Sequence, residues 1–255
     1  MRAVFVESYY LMMRSVKEIL RIPMSIIFPI LIPILQMLIF SQVFKNVANL
    51  PGFKSGSYLD YQAPSVILMT VMFSAGNSAF SMILDMDTGF LDKLLLAPIS
   101  RISILLGRLG AEGVRIFFQT VLMSSIIIFV AGVGNHSGVL GFLTIAVLNS
   151  LFGVAYGGIF YTVALLTKNA QAAQAMFPIT FPLLFLSTAL MPKTLLPGWL
   201  KTVADINPVS YVIEAYRAIL GGTVKTEVTD ALILTFILGV LTLSSAWLAF
   251  RKLVD

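Results

Sequence analysis

Six stretches of this chain run for about twenty residues with almost no charge, and no other feature constrains the fold as strongly. They lie near Ile22–Phe44, Tyr61–Leu84, Val114–Val133, Val139–Leu166, Ala172–Met191 and Ala231–Phe250. At a rise of about 1.5 Å per residue, each is long enough to cross a hydrocarbon layer of about 30 Å as a helix. The chain has 255 residues, 58% hydrophobic and 11% charged, with a mean hydropathy of +0.94. Soluble domains carry about a quarter charged residues, so a soluble fold would have too little polar surface. The expected fold is an all-α integral membrane protein with six transmembrane helices in one domain spanning residues 1–255. The first 21 residues are mixed and charged, and the run that follows is too long for a signal-peptide core, so no cleavage is expected. Zero cysteines exclude disulfides, thiolate metal sites and a cysteine nucleophile.

An even number of spans puts both termini on one side, and the basic residues choose it. Arg2, Arg14, Lys17, Arg21, Lys93, Arg101, Arg108, Arg115, Lys168, Arg251 and Lys252 share one side, 11 of the 17 lysines and arginines. The positive-inside rule places that side, with both termini, in the cytoplasm of a multi-pass cell-membrane protein. The net charge of +5 is accounted for by these flanks and implies no nucleic-acid partner. In residues 1–21, Phe5, Tyr9, Met12, Val16, Ile19 and Leu20 recur at helical spacing opposite Arg2, Glu7, Arg14, Lys17 and Glu18. That pattern predicts an amphipathic helix in the inner interface, in contact with membrane lipids.

Asp85–Leu109 stands out between apolar runs, carrying Asp85, Asp87, Asp92, Lys93, Arg101 and Arg108. It reads as a short amphipathic helix, a break at Pro98 and a second amphipathic start. Pro23, Pro29 and Pro33 in the first span, and Pro178 and Pro182 in the fifth, read equally as kinks or as cavity-lining breaks. Residues 192–228 are too polar for a span and too apolar for an ordinary loop. Asn207-Pro208 precedes a helix, Val209–Leu220, that stops at Gly221-Gly222. A re-entrant external hairpin is expected there, with Glu214 and Arg217 paired three residues apart.

No GxxxxGK[ST] loop occurs, so the chain has no phosphate cradle of that kind. His136, the single histidine, reads as a solvated turn residue. Ser124, Ser125, Ser244 and Ser245 read as helix-packing groups. Glu112, Arg115 and Asp230 fall at expected span edges, and Gln36, Asn77, Gln119 and Asn149 are the mild polar residues inside. Without a central ionisable relay, ion coupling is disfavoured and the energy source is expected outside the chain.

Three local patterns together resemble the permease subunits of type 2 ABC exporters, the family of daunorubicin-resistance and polysaccharide-export permeases. One is Gly89-Phe90-Leu91-Asp92-Lys93-Leu94-Leu95-Leu96-Ala97-Pro98-Ile99-Ser100-Arg101, followed by Leu105-Leu106-Gly107-Arg108. Another is Asn207-Pro208-Val209-Ser210-Tyr211 with Glu214, Arg217 and Gly221-Gly222. The third is the six-span layout behind an amphipathic N-terminal helix. The resemblance implies that residues 85–109 hold a cytoplasmic coupling helix, docking at about Asp87–Ala97 onto a separate ATP-binding-cassette ATPase subunit. Phe90, Leu91, Leu94 and Leu95 would be its apolar contacts, with Asp92, Lys93 and Arg101 as polar partners. It also implies a second permease copy, identical or not, and a substrate path between spans one, two and five. Gln36, Met72, Asn77, Met176, Phe177 and Phe181 are the candidates for that path. No catalytic residue, cofactor or metal is expected in this chain, and ATP and Mg belong to the partner. The implied function is export of a hydrophobic, lipid-like or lipid-linked substrate. The alternative is a self-sufficient secondary transporter or channel.

Overall fold

The computed structural model describes residues 2–49, 53, 56–223 and 226–254, apart from the side chains of Arg2, Ala3, Ser25, Asn77, Ser78, Ala170 and Val254. All regular structure among the described residues is helical. Five helical stretches are long and apolar enough to cross a membrane: Ile26–Val43, Tyr58–Asp87, Arg101–Val130, Gly138–Thr167 and Thr226–Leu253.

α1 (Arg2–Arg21) lies against α6 (Arg101–Ser125) and turns Phe5, Tyr9, Tyr10 and Leu20 outward. The contact is close because α6 offers glycines. A Cβ on Gly107 would stand 2.6 Å from Leu11 Cβ and 3.2 Å from the Ser8 carbonyl. Pro23 separates α1 from α2 (Met24–Val43), which keeps Pro29 and Pro33 within it. α3 (Tyr58–Ser74) starts on a Ser57 cap, whose hydroxyl oxygen accepts the Asp60 N–H at 3.1 Å. It is buried on almost every side and forms the centre of the bundle.

The second apolar run is not one helix. It breaks at Ala75-Gly76 and resumes as α4 (Asn77–Asp87). Gly89, at φ +65°, turns the chain into α5 (Phe90–Leu96); a side chain there would be strained. Ala97 then adopts an extended conformation, as the residue before a proline should, and α5 ends. α6 follows directly and runs into one π-helical turn at Ile126–Val130. The sequence places a span edge at Val114, whereas the helix starts at Arg101. Glu112 and Arg115 therefore lie inside a long helix, not at its edge. They fall on a buried stripe with Ile104, Gly107, Arg108 and Ala111, where charge is held only in pairs.

α7 (Gly138–Thr167) packs between α6 and α12 (Thr226–Val254). Asn149 on α7 is fully buried and joins three helices. Its amide donates to Thr120 Oγ1 at 2.8 Å, and its carbonyl accepts the Tyr216 hydroxyl at 2.8 Å. Residues 172–191 differ from the continuous helix expected. They form α8 (Ala170–Gln174), a 3₁₀ turn at Phe177–Ile179 and α9 (Thr180–Phe185), after which the chain unwinds. Pro178 and Pro182 supply no N–H to an α ladder there. The freed carbonyls find side chains instead. Leu183 and Leu186 are bonded by Asn207, Ala189 by Ser65 and Leu190 by Tyr58. Thr188 receives both the Tyr61 hydroxyl and Arg217.

Residues 192–223 carry α10 (Gly198–Ile206) and α11 (Pro208–Leu220). Asn207 caps α11 by accepting the Val209 N–H at 3.0 Å, with Pro208 at the first helical position. His136 is no free turn residue. Its N–H donates to the Leu220 carbonyl at 2.9 Å and Ser137 bonds the Ile219 carbonyl, so this turn closes the last turn of α11.

Candidate functional site

At the α1 end of the bundle, four helices meet around a knot of charge. α4 ends with Asp85 paired to Arg108 of α6. Arg14 of α1 bonds Glu18 at 2.5 Å and stands 3.8 Å from Asp85, and Arg108 lies 3.9 Å from Glu18. The Arg14 guanidinium also covers the Phe90 ring of α5 at 3.6 Å. Glu7 of α1 accepts the Ser100 N–H at 2.9 Å and the Ser103 hydroxyl at 2.7 Å. A carboxylate thus sits at the α6 N-terminus, where the helix dipole favours it. These two bonds, the backbone one foremost, hold the Glu7 carboxyl below its ordinary pKa.

The insert therefore turns two of its six charged residues inward. Asp85 and Arg108 are spent on each other, while Asp87, Asp92, Lys93 and Arg101 remain on the outer surface. The apolar face of α5 is divided too. Leu91 is only 3% exposed and belongs to the chain's own core, and Leu94 and Leu95 pack half-buried against that core. Leu96, not singled out by its spacing, is 88% exposed beside Asp92 and Lys93. The face that α5 offers outward is thus Asp92, Lys93 and Leu96.

Deeper in the bundle, Arg115 is joined to Glu112 through Nε at 3.0 Å, with a second contact through Nη2. The same Nη2 donates to the Ser74 carbonyl at 2.7 Å, the carbonyl freed where α3 breaks from α4. One buried ion pair thereby satisfies a helix break.

The proposed path residues are partly brought together. Gln36 of α2 and Phe181 of α9 line one apolar groove of about 360 Å³, with Ile32, Leu35, Met69 and Leu184. Phe177 and Phe181 meet Phe73 of α3, with ring centres 5.4 and 5.8 Å away. Phe73 was missed because nothing in its local pattern separates it from an ordinary core residue. Met176 packs half-buried against the core, and Met72 is wholly buried outside the groove. Asn77 opens α4, but its side chain lies outside the described residues.

At the opposite end, Glu214 and Arg217 pair at 2.6 Å in a cup of about 460 Å³. Arg217 also covers the Tyr61 ring at 3.7 Å. A Lys193–Asp205 pair, Tyr211, Glu227 and Asp230 complete the wall. Among the described residues, no group of three or more histidine, aspartate or glutamate side chains is placed to hold a metal ion.

The sequence that builds this bundle has counterparts among known proteins. The chain belongs to the ABC-2 type transporter family, which it matches over residues 7–220. It is 28% identical over 214 residues to a putative transport permease, ycf38, of Cyanophora paradoxa, covering 83% of this chain and 73% of that one. It is 27% identical over 212 residues to the probable doxorubicin resistance ABC transporter permease DrrC of Mycobacterium tuberculosis, covering 83% and 76%. The inner membrane transport permease YadH of Escherichia coli is 27% identical over 217 residues, covering 82% of each chain. The chain is a multi-pass membrane subunit of an ABC transporter.

Proposed function

We propose that this permease exports a hydrophobic, lipid-like or lipid-linked substrate from the cytoplasm, driven by a separate ATPase subunit that binds ATP and Mg. The observation that carries this reading is α5. It is a single short helix, set off by Gly89 and Pro98, that presents Asp92, Lys93 and Leu96 to whatever lies beyond the bundle. An exposed leucine between charges on a helix suits a groove on a soluble partner. The α1 end is then the cytoplasmic end, in keeping with the lysine and arginine count. The broken segment 170–191 acts as the fifth of six crossings, and α12 as the sixth.

In this reading α4 is the connecting rod. Its lower end is tied to α6 by Asp85–Arg108, and its upper end abuts the break that Arg115 bridges. A push on α5 would tilt α4 about Ala75-Gly76 and shift α3, whose Met69 and Phe73 border the groove. Two permease copies would meet along α2, which exposes Ile27, Phe28, Leu31 and Leu38. Substrate would pass along the groove of Gln36 and Phe181, with Phe177 close by. DrrC's name links that relative to doxorubicin resistance, which supports export.

The test is co-purification with an ATPase encoded beside the gene. Leu96→Asp should abolish capture and transport while leaving the chain folded, since its side chain touches little of the bundle. Unchanged capture and transport would sink the proposal. Transport by the chain alone, collapsed by ionophores and indifferent to ATP, would support the self-sufficient transporter instead.

A further inference from the structure

Gln62 of α3 is buried without a partner. It is 1% exposed, and among the described residues it is the one buried amide whose Nε2 and Oε1 both lack a hydrogen bond. An unmatched amide destabilises a fold, and a methionine of similar size would avoid the cost. Its place on α3 gives the reason for keeping it. Gln62 stands four residues after Tyr58, three before Ser65 and seven before Met69, so all four share one stripe of the helix.

That stripe is one side of a partition between the two cavities described above. Met69, Ala189 and Leu190 line the groove of Gln36 and Phe181, whereas Tyr61 and Thr188 line the cup of Glu214 and Arg217. Three consecutive carbonyls of the unwound chain are latched to α3 across it. The Tyr61 hydroxyl donates to Thr188 at 2.7 Å, Ser65 to Ala189 at 2.9 Å and Tyr58 to Leu190 at 3.0 Å. The hydroxyl protons beside Gln62 are therefore already committed to that chain. Hydrogen bonds of this kind are individually weak, so the partition can open without unfolding either wall.

We infer that Gln62 is a specificity-determining residue of the export path, hydrogen-bonding a neutral, amide-like group of the substrate as it crosses from groove to cup. The inference rests on the path proposed above and names the chemistry of its cargo. Gln36 is the only polar residue lining the groove, so a charged group entering there would meet no counter-charge. A carboxamide offers an acceptor and a donor together, which suits a group that also carries both. The cargo is then a largely apolar molecule with an uncharged amide.

The experiment uses the full chain in phosphatidylcholine nanodiscs and two alkyl diazirine photoprobes. One probe carries a secondary amide in mid-chain, and the other has methylenes in its place. The latch is left intact, or loosened by Ser65→Ala, alone and with Tyr58→Phe, which removes one or two of the three hydroxyl bonds. In the loosened chain, labelling of residues 58–69 and 181–190 should favour the amide probe. Gln62→Met should cut that preference about tenfold, the worth of a hydrogen bond at the upper end of its usual range. Probe partitioning into the bilayer is common to both chains and cancels. Gln62→Met should also unfold no more readily than the unmutated chain, which a merely structural amide would not allow. Because the chain has no cysteine, Gln62→Cys supplies a single thiol. It should resist methyl methanethiosulfonate behind the intact latch and react once the latch is loosened. The inference is overturned if the two probes label alike, if the preference survives Gln62→Met, or if that variant is clearly destabilised. It is equally overturned if the thiol reacts the same in both chains. No ATPase is present in this assay, so its failure is distinct from a failure of ATPase capture.

Discussion

Replacing Glu112 by glutamine would leave the Arg115 guanidinium buried beside a neutral group, in a position that is itself almost closed to solvent. Glu112 is 1% exposed and Arg115 6%. Removing one member of a buried pair costs about 3–5 kcal/mol, because the remaining charge stays desolvated without its counter-charge. Arg115 retains one fixed partner, the Ser74 carbonyl at 2.7 Å, which should hold the loss toward the lower end of that range. Removing Arg115 as well, in a Glu112→Leu, Arg115→Met double variant, takes away the stranded charge but orphans the Ser74 carbonyl. That orphaned carbonyl costs about 1–3 kcal/mol. The double variant should therefore be more stable than Glu112→Leu alone, a coupling that a double-mutant cycle reads directly. Reversible unfolding in mixed dodecyl maltoside and dodecyl sulfate micelles is the assay. Additive losses, or a single-variant loss under 1 kcal/mol, would refute the view that the pair bridges the break after Ser74.

Glu7 is held below its ordinary pKa, so the stabilisation it gives the α1–α6 contact is complete at neutral pH and drains away as pH falls through its folded value, below the ordinary carboxylate range. Hydrogen exchange of α1 amides should quicken on that acid side, and Glu7→Gln should show quick exchange at every pH. Phe90→Ala removes the ring under Arg14, worth about 0.5–1 kcal/mol at a partly exposed site, and should speed exchange at amides 90–96 with little effect on α7. Arg217→Met strips donors from the Thr188 carbonyl and hydroxyl and from the Tyr61 carbonyl, and should cost about 1.5–3 kcal/mol for its charged hydrogen bonds. Arg217→Lys should recover only part of that in the same unfolding assay, because an ammonium lacks the planar fork that reaches several acceptors at once.

Local patterns reported local structure well. The 3.6-residue spacing of Phe5, Tyr9 and Met12 marks α1. Gly89 and Pro98 bracket α5, and Asn207-Pro208 with Gly221-Gly222 bound α11, because turn and cap chemistry is decided within a few residues. What failed to show was which face is covered. The four-residue spacing of Leu91 and Leu95 says that α5 has an apolar side, yet that side is filled by the chain's own core, and the lone Leu96 is the one left out. Charge was legible only as a count. Asp85 and Arg108 look like surface residues until two distant helices bring them together, and Glu7 caps a helix 93 residues away. The break at Ala75-Gly76 has no proline to announce it. Arg115, from another helix, serves the carbonyl freed there. In residues 172–191 the prolines announced a disturbance, but its extent depended on donors from α3 and α11 that no local window contains.

In the proposed function, driving force enters through the outward face of α5. The direct test is a photoreactive phenylalanine analogue placed in turn at Leu91 and at Leu96, in cells that co-express a candidate ATP-binding-cassette subunit. A crosslink to the ATPase is expected from position 96 and none from position 91, whose side chain is closed inside the bundle. An ATPase crosslink from neither position, with transport intact, would contradict it.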